Sequence, residues 1–267
     1  MTEQAPFSIT PGAAESSVIV HVPHSSTRMP PDVARGLELD AAEVDNELAH
    51  MTDAHTDVIA TGAAQRLAAP PWIFVNQLSR LVIDPERFPD EREEMLEVGM
   101  GAVYTRTSHR EVLRQEDTAR DELLIDRYFR PYADALADLV DERLAATGRA
   151  VIIDLHSYPS AALPYERHPA ARRPAICIGT DARHTPKSLI GSATAAFAGL
   201  GDVHLNEPFA GTYVPLRHHG KDDRVHSLMI EIRRDVYMDE PGGRPTPGLD
   251  DVTSALADYL GDLELHV

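Results

Sequence analysis

Apolar and polar positions along this chain follow two periods, and the switches between them lay out a sheet with helices between its strands. Three compact, β-branched runs stand out: Val18-Ile19-Val20-His21-Val22, Val151-Ile152-Ile153-Asp154-Leu155 and Leu228-Met229-Ile230-Glu231-Ile232. Near-continuous apolarity over so few residues is the pattern of strands buried on both faces. Trp72-Ile73-Phe74-Val75 and Ala175-Ile176-Cys177-Ile178-Gly179 read as two further strands. Elsewhere the period lengthens. Val44, Leu48, Met51, Val58 and Ile59 recur at helical spacing within 40–67, and Pro70-Pro71 ends that pattern. Glu111 to Ala146 reads as a long amphipathic helical region with a break at Pro131 and a stop at Thr147-Gly148. Helices are also expected over 188–200 and 250–263. Residues 1–17 read as a polar lead-in, Leu81-Val82-Ile83 as an apolar loop, and 86–110 as a charged excursion. Strands alternating with helices predict an α/β fold, a mostly parallel or mixed sheet flanked by helices. No linker, internal repeat or low-complexity segment is evident, so residues 1–267 are expected to form a single catalytic domain.

The strand ends carry the candidate chemistry. The first run stops at Pro23-His24-Ser25 and the second continues to His156-Ser157-Tyr158-Pro159, so a histidine leaves each strand at a sharp turn. Open α/β sheets build their sites at the carboxyl ends of strands. One such histidine reads as a loop cap; two in matched contexts, with spare acids, point to a metal centre of the zinc-hydrolase kind. A third ligand is sought in Glu47–Asp57, where His50 and Asp53 are three apart and expected on one helical face. Asp53 is the preferred ligand and His50 the runner-up. Asp154 stands two residues before His156, on the same side of the strand, where it can orient the imidazole. His21, in mid-strand, reads as a buried, hydrogen-bonded histidine. Glu231 interrupts an apolar strand, where an unpaired charge is costly. It is expected either to act as general base and acid or to be neutralised by Arg233. Arg80, Arg87 and Arg217, with Asn206 and Tyr213, supply donors for a substrate carbonyl or carboxylate.

Composition narrows these readings. The formal charge of -18 argues against nucleic-acid binding, which needs clustered cations, but leaves room for a small anionic substrate held by focused arginines. Cys177 is the one cysteine, so no disulfide can form within the chain. The first residues have neither a basic stretch nor an apolar core of signal-peptide type, and no apolar run approaches the ~20 residues of a membrane span. The expectation is a cytoplasmic protein with no membrane or nucleic-acid partner; the oligomeric state is left open. Gly-rich phosphate loops and a Gly-x-Ser-x-Gly elbow are missing. Ser25 and Ser157 each follow a histidine, but adjacency is not triad geometry.

Six motifs then occur in one order: His21-Val22-Pro23-His24-Ser25, Asp53-Ala54-His55-Thr56-Asp57, Asp84-Pro85-Glu86-Arg87-Phe88, Asp154-Leu155-His156-Ser157-Tyr158, Pro208-Phe209-Ala210-Gly211-Thr212-Tyr213 and Glu231-Ile232-Arg233-Arg234-Asp235. The ordered set resembles the N-formylglutamate amidohydrolases over about residues 18–240. That resemblance implies hydrolysis of N-formyl-L-glutamate to formate and glutamate, late in histidine breakdown. It also implies a zinc-exopeptidase-like three-layer fold. By the same likeness, zinc or another divalent metal falls on His24, Asp53 and His156, and the proton-transfer role on Glu231. Two alternatives remain: a zinc-dependent amidase or peptidase for another N-acyl amino acid or peptide, and a non-catalytic metal-binding relative.

Overall fold

The computed structural model describes residues 5–266, with side chains as far as Leu263. Seven strands form one mixed sheet in the order β1-β3-β2-β4-β7-β5-β6. They are β1 (Phe7–Thr10), β2 (Val18–Val22), β3 (Trp72–Asn76), β4 (Ala150–Tyr158), β5 (Ile176–Gly179), β6 (Val203–Leu205) and β7 (Val225–Arg233). The four central strands, β3, β2, β4 and β7, run parallel, whereas β1 and β5 are antiparallel to their inner neighbours. β1 lies inside the predicted lead-in, of which residues 1–4 fall outside the described residues. Its four residues are mostly exposed, so the two-faced apolar signal of a central strand is missing there.

The helices are α1 (Pro31–Ala34), α2 (Ala41–Met51), α3 (Thr56–Ala64), α4 (Thr118–Leu124), α5 (Arg130–Thr147), α6 (Lys187–Phe197) and α7 (Gly248–His266). On one sheet face, Val18, Val20, Val151, Ile153, Leu228 and Ile230 pack with Ile59 of α3, Phe197 of α6 and Leu256 of α7. On the other, Ile19, Phe74 and Ile152 meet Tyr132, Leu136 and Val140 of α5. Alternate residues of each strand thus feed opposite cores, which makes three layers.

Two helical expectations need correction. The region predicted over 40–67 is two helices, because the backbone becomes extended at Thr52 and left-handed at His55 (φ 69°). The region predicted from Glu111 begins at Thr118, capped by Asp117, and is not broken at Pro131. The helical backbone runs on from α4 through a π-helical turn, Ile125–Phe129, into α5, and the wider turn just before Pro131 accommodates the N–H that proline lacks.

Candidate functional site

Chain direction along the sheet sets the location. From β2 the connection moves outward to β3, whereas β4 lies on the other side of β2, so the topology reverses between β2 and β4. Ligand crevices form at the carboxyl ends of strands at such a point. A cavity of about 270 Å³ lies there, lined by His24, Asp53, Arg80, Asp84, Glu86, Arg87, Asp154, His156, Tyr213, Glu231 and Arg234 among others.

Backbone geometry delivers each group. His24 follows β2 by two residues, and its carbonyl accepts the Asp53 N–H at 3.0 Å, pinning the α2–α3 break against the strand end. The break therefore carries Asp53 into the cavity, off the helix that holds His50. The shared helical face expected for His50 and Asp53 does not form. His156 lies on β4, and the parallel register places it beside Glu231 on β7. Gly179 allows the loop that carries Gly211 to close over the sheet, since a Cβ there would stand 2.2 Å from the Gly211 carbonyl oxygen.

Three donor atoms converge. His24 Nδ1 is 3.3 Å from His156 Nδ1, and Asp53 Oδ2 is 3.1 Å from His156 Nδ1 and 3.6 Å from His24 Nδ1. A tetrahedral ion with bonds of about 2.0–2.1 Å to nitrogen and oxygen sets its ligand atoms about 3.3–3.4 Å apart, so the spacing suits zinc. The outer nitrogens face acids. His24 Nε2 donates to Asp84 Oδ1 at 3.0 Å, while His156 Nε2 lies 3.1 Å from Asp154 Oδ1 and 3.2 Å from Glu86 Oε2. The Nδ1 atoms of His24 and His156 and Oδ2 of Asp53 therefore converge on one spot, a donor set that would take a cation in place of the protons it shares. The lining contains five carboxylates against three arginines, an acidic surround that draws a cation inward. The residues present fit a divalent metal.

Electrostatics follow from these contacts. Burial would raise Asp53, yet its hydrogen bonds with His156 and His24 hold it well below the usual carboxylate range. Burial opposes the low value of Asp84 too, where Arg80 and His24 prevail. Burial alone would lower His156, but Glu86 and Asp154 raise it well above an ordinary histidine. Glu231 is different. Burial pushes its carboxyl up to about 8 against the pull of His156, and its Oε2 has no hydrogen-bond partner among the described residues. Arg233 does not neutralise it; that guanidinium donates to Asp235 at 2.7 Å.

The proposed donor residues separate into two groups. Arg80, Arg87 and Tyr213 line the cavity. Arg80 donates to Asp84 Oδ2 at 2.7 Å and to the Tyr104 hydroxyl at 2.9 Å; Arg87 Nε has no hydrogen-bond partner among the described residues and approaches Asp84 only to 3.5 Å. Arg217 and Asn206 stand elsewhere. Arg217 is engaged by Asp138 at 2.7 Å and Asp141 at 2.6 Å on the outside of α5. Asn206 accepts the Thr180 N–H at 2.9 Å in an exposed turn. Both belong to turn-rich sequence in which nothing distinguishes an inward donor from an outward one.

Sequence reasoning gave no role to Asp84, and of Arg233 and Arg234, which alternate sides of a strand, it expected at most one to face the cleft; Arg234 is the one that lines the cavity. Asp84, fully buried, ends the apolar run Leu81-Val82-Ile83, and that placement was its available signal. Arg234 follows β7 directly, donates to the carbonyl of His50 at 2.7 Å and reaches Asp53 Oδ1 at 3.3 Å. It thereby braces the carboxylate from behind. His21 is buried as expected, between Asp154 Oδ1 at 2.8 Å and the Tyr132 hydroxyl at 2.5 Å.

N-formylglutamate deformylase of Pseudomonas aeruginosa is 25% identical over 233 residues, covering 84% of this chain and 82% of its own length. Among solved structures, N-formylglutamate amidohydrolase from Ralstonia eutropha JMP134 has the same fold, with a TM-score of 0.83 and 24% identity over 99% of both chains. A gene product of Agrobacterium tumefaciens also shares the fold, with a TM-score of 0.70 and 20% identity over 98% of this chain and 97% of its own. Residues 16–238 match the N-formylglutamate amidohydrolase family model, and the chain belongs to that family of small-molecule amide hydrolases.

Proposed function

We propose that this chain is a metal-dependent amidohydrolase that cleaves N-formyl-L-glutamate to formate and L-glutamate, with residues 1–267 as its catalytic domain. The observation that carries the reading is Glu231, a half-buried carboxyl raised to about 8 and in register with His156; its Oε2 is shut off from solvent with no hydrogen-bond partner among the described residues. A carboxylate that is reluctant to stay ionised is a good proton acceptor near neutral pH. His24, Asp53 and His156 would hold a zinc or other divalent ion. Such an ion polarises a carbonyl and makes water more acidic.

The chain's own residues supply the rest. Glu231 takes a proton from the attacking water as oxygen bonds to the formyl carbon. The same carboxyl then gives that proton to the amide nitrogen as the C–N bond breaks, so glutamate leaves as an amine. Asp84 and Asp154 keep the His24 and His156 rings oriented. Arg87, whose guanidinium makes only long contacts, is free to take a substrate carboxylate, and Arg80 lies beside it. At about 270 Å³ the cavity is near the lower end of ligand sites, of order 300–1,000 Å³, which favours a small acyl amino acid over a peptide. On this reading the enzyme acts late in histidine breakdown.

The test is formate release by purified protein from N-formyl-, N-acetyl- and peptidyl-glutamate, before and after chelation and zinc return. The expected result is preference for the formyl compound, loss on chelation and recovery with zinc. Preference for acetyl or peptide substrates would replace the substrate assignment with a wider amidase. Full activity without metal would remove the mechanism, and metal uptake without turnover of any substrate would identify a non-catalytic relative.

A further inference from the structure

Next to the cavity just described, and separate from its His24–Asp53–His156 cluster, stands a second group of metal-competent side chains. Glu47 and His50 lie three apart on the last turns of α2, and His109 faces them from the excursion over 86–110. An oxygen of Glu47 and a ring nitrogen of each histidine all lie within 4.8 Å of one another. The two imidazole rings are 4.9 Å apart between centroids. A separate cavity of about 420 Å³ opens onto this group and gives an ion a way in. Glu43 and Glu111 also line that cavity and draw cations toward it.

Each donor is prepared differently. Glu47 is almost fully buried, at 2% exposure, and its visible partners are the Ser108 N–H at 2.6 Å and the Ser108 hydroxyl at 2.7 Å. Those two bonds leave a lone pair on each oxygen and do not supply a positive charge. The Ser108 hydroxyl has one proton, and it goes to Glu47. His109 Nδ1, 3.1 Å from that hydroxyl, must therefore be the donor in its own contact, which places the lone pair on Nε2. His50 Nδ1 is shut away from solvent with no hydrogen-bond partner among the described residues. Burial, aided by repulsion from His109, also holds His50 below the usual histidine range, so it stands as a neutral donor near pH 7.

We propose that Glu47, His50 and His109 form a second divalent-metal site, taking Zn²⁺ or a similar nitrogen-seeking ion independently of the His24–Asp53–His156 centre. The donors lie within 4.8 Å of one another, against about 3.3 Å between ligands of tetrahedral zinc, so closing on an ion calls for at most a small inward movement of one donor. His109 is the one able to do so, being exposed on a turn closed by the Arg110 N–H to the Thr107 carbonyl at 2.9 Å. The bound ion ties the end of α2 to the overlying loop. His50 lines both cavities, so this tie stiffens one wall of the first.

Metal-free full-length protein titrated with Zn²⁺ alone, by calorimetry and by bound metal after gel filtration, tests the proposal without an activity readout. Wild type is expected to take two equivalents. His109→Ala should take one, His24→Ala should take one, and the double variant none, with circular dichroism confirming that each is folded. The second equivalent should also raise the melting temperature of wild type and leave that of His109→Ala unchanged. Zinc uptake by His109→Ala equal to that of wild type, whether none, one or two equivalents, overturns the second site. Loss of the His24-dependent equivalent alone would instead overturn the metal assignment behind the proposed activity, so the two failures are distinguishable.

Discussion

His156 and Glu231 are register partners across the parallel β4–β7 ladder, so both side chains leave the same face of the sheet as neighbours. A ring that presents Nδ1 to the Asp53–His24 cluster thus stands beside a carboxyl whose Oε2 touches no hydrogen-bond donor among the described residues. Backbone pairing sets the two side by side. A one-residue slip would send one of them to the opposite core.

Glu231→Gln keeps the shape and removes the proton acceptor. Turnover of N-formylglutamate should fall by about 10²–10⁴-fold, while zinc stoichiometry stays at the wild-type value. Steady-state kinetics and metal analysis on the same preparation check this; unchanged turnover would make Glu231 structural.

The same substitution has a pH signature in metal-free protein. The folded-state pKa of Glu231 is raised from 4.5 to about 8, so the protonated carboxyl's share of stability is present below about pH 4.5 and lost as pH rises through 8. The amide cannot ionise. Glu231→Gln should therefore match wild type near pH 5 in chemical denaturation and exceed it near pH 9. Parallel stability curves across that range would show that the carboxyl is not desolvated.

Arg234→Met tests the brace behind Asp53. The buried guanidinium meets Asp53 Oδ1 at 3.3 Å, the His50 carbonyl at 2.7 Å and Ser157 Oγ at 3.3 Å. Removing it leaves an uncompensated buried carboxylate, a loss of about 3–5 kcal/mol in comparable cases. Zinc affinity should also weaken about 10–100-fold, because the ligand loses its orientation. Thermal unfolding and competition with a chelator separate the two effects.

Arg87 and Arg217 should part in kinetics. Arg87→Ala is expected to raise KM for N-formylglutamate about ten- to a hundredfold, the loss of one charge-assisted contact of about 1.5–3 kcal/mol. Arg217→Ala removes exposed ion pairs with Asp138 and Asp141, which contribute little, and should leave KM within about twofold. The reverse order would move the carboxylate pocket out of the cavity beneath Tyr213.

What the sequence determined by itself is what local order and residue type can encode. Runs such as Val151-Ile152-Ile153 are apolar on both faces, so they could only be central strands of a covered sheet. A histidine placed at the end of two such strands is brought to the sheet's carboxyl edge by chain direction alone. His24, His156 and Glu231 were legible for that reason, as was the buried state of His21. The edge strand Phe7–Thr10 was not, because an exposed strand carries little periodic signal. Tertiary structure decided the rest. Asp53 reaches the cluster because the α2–α3 break is hydrogen-bonded to the His24 carbonyl, and helical periodicity does not register such a break. Arg80, Arg87, Arg217 and Asn206 look equivalent in sequence, each a donor in a loop. Only packing against Asp84, or against Asp138 on the far side of α5, settles which of them can meet a ligand. Long polar side chains take their direction from partners distant in the chain, and those partners are fixed when the layers pack.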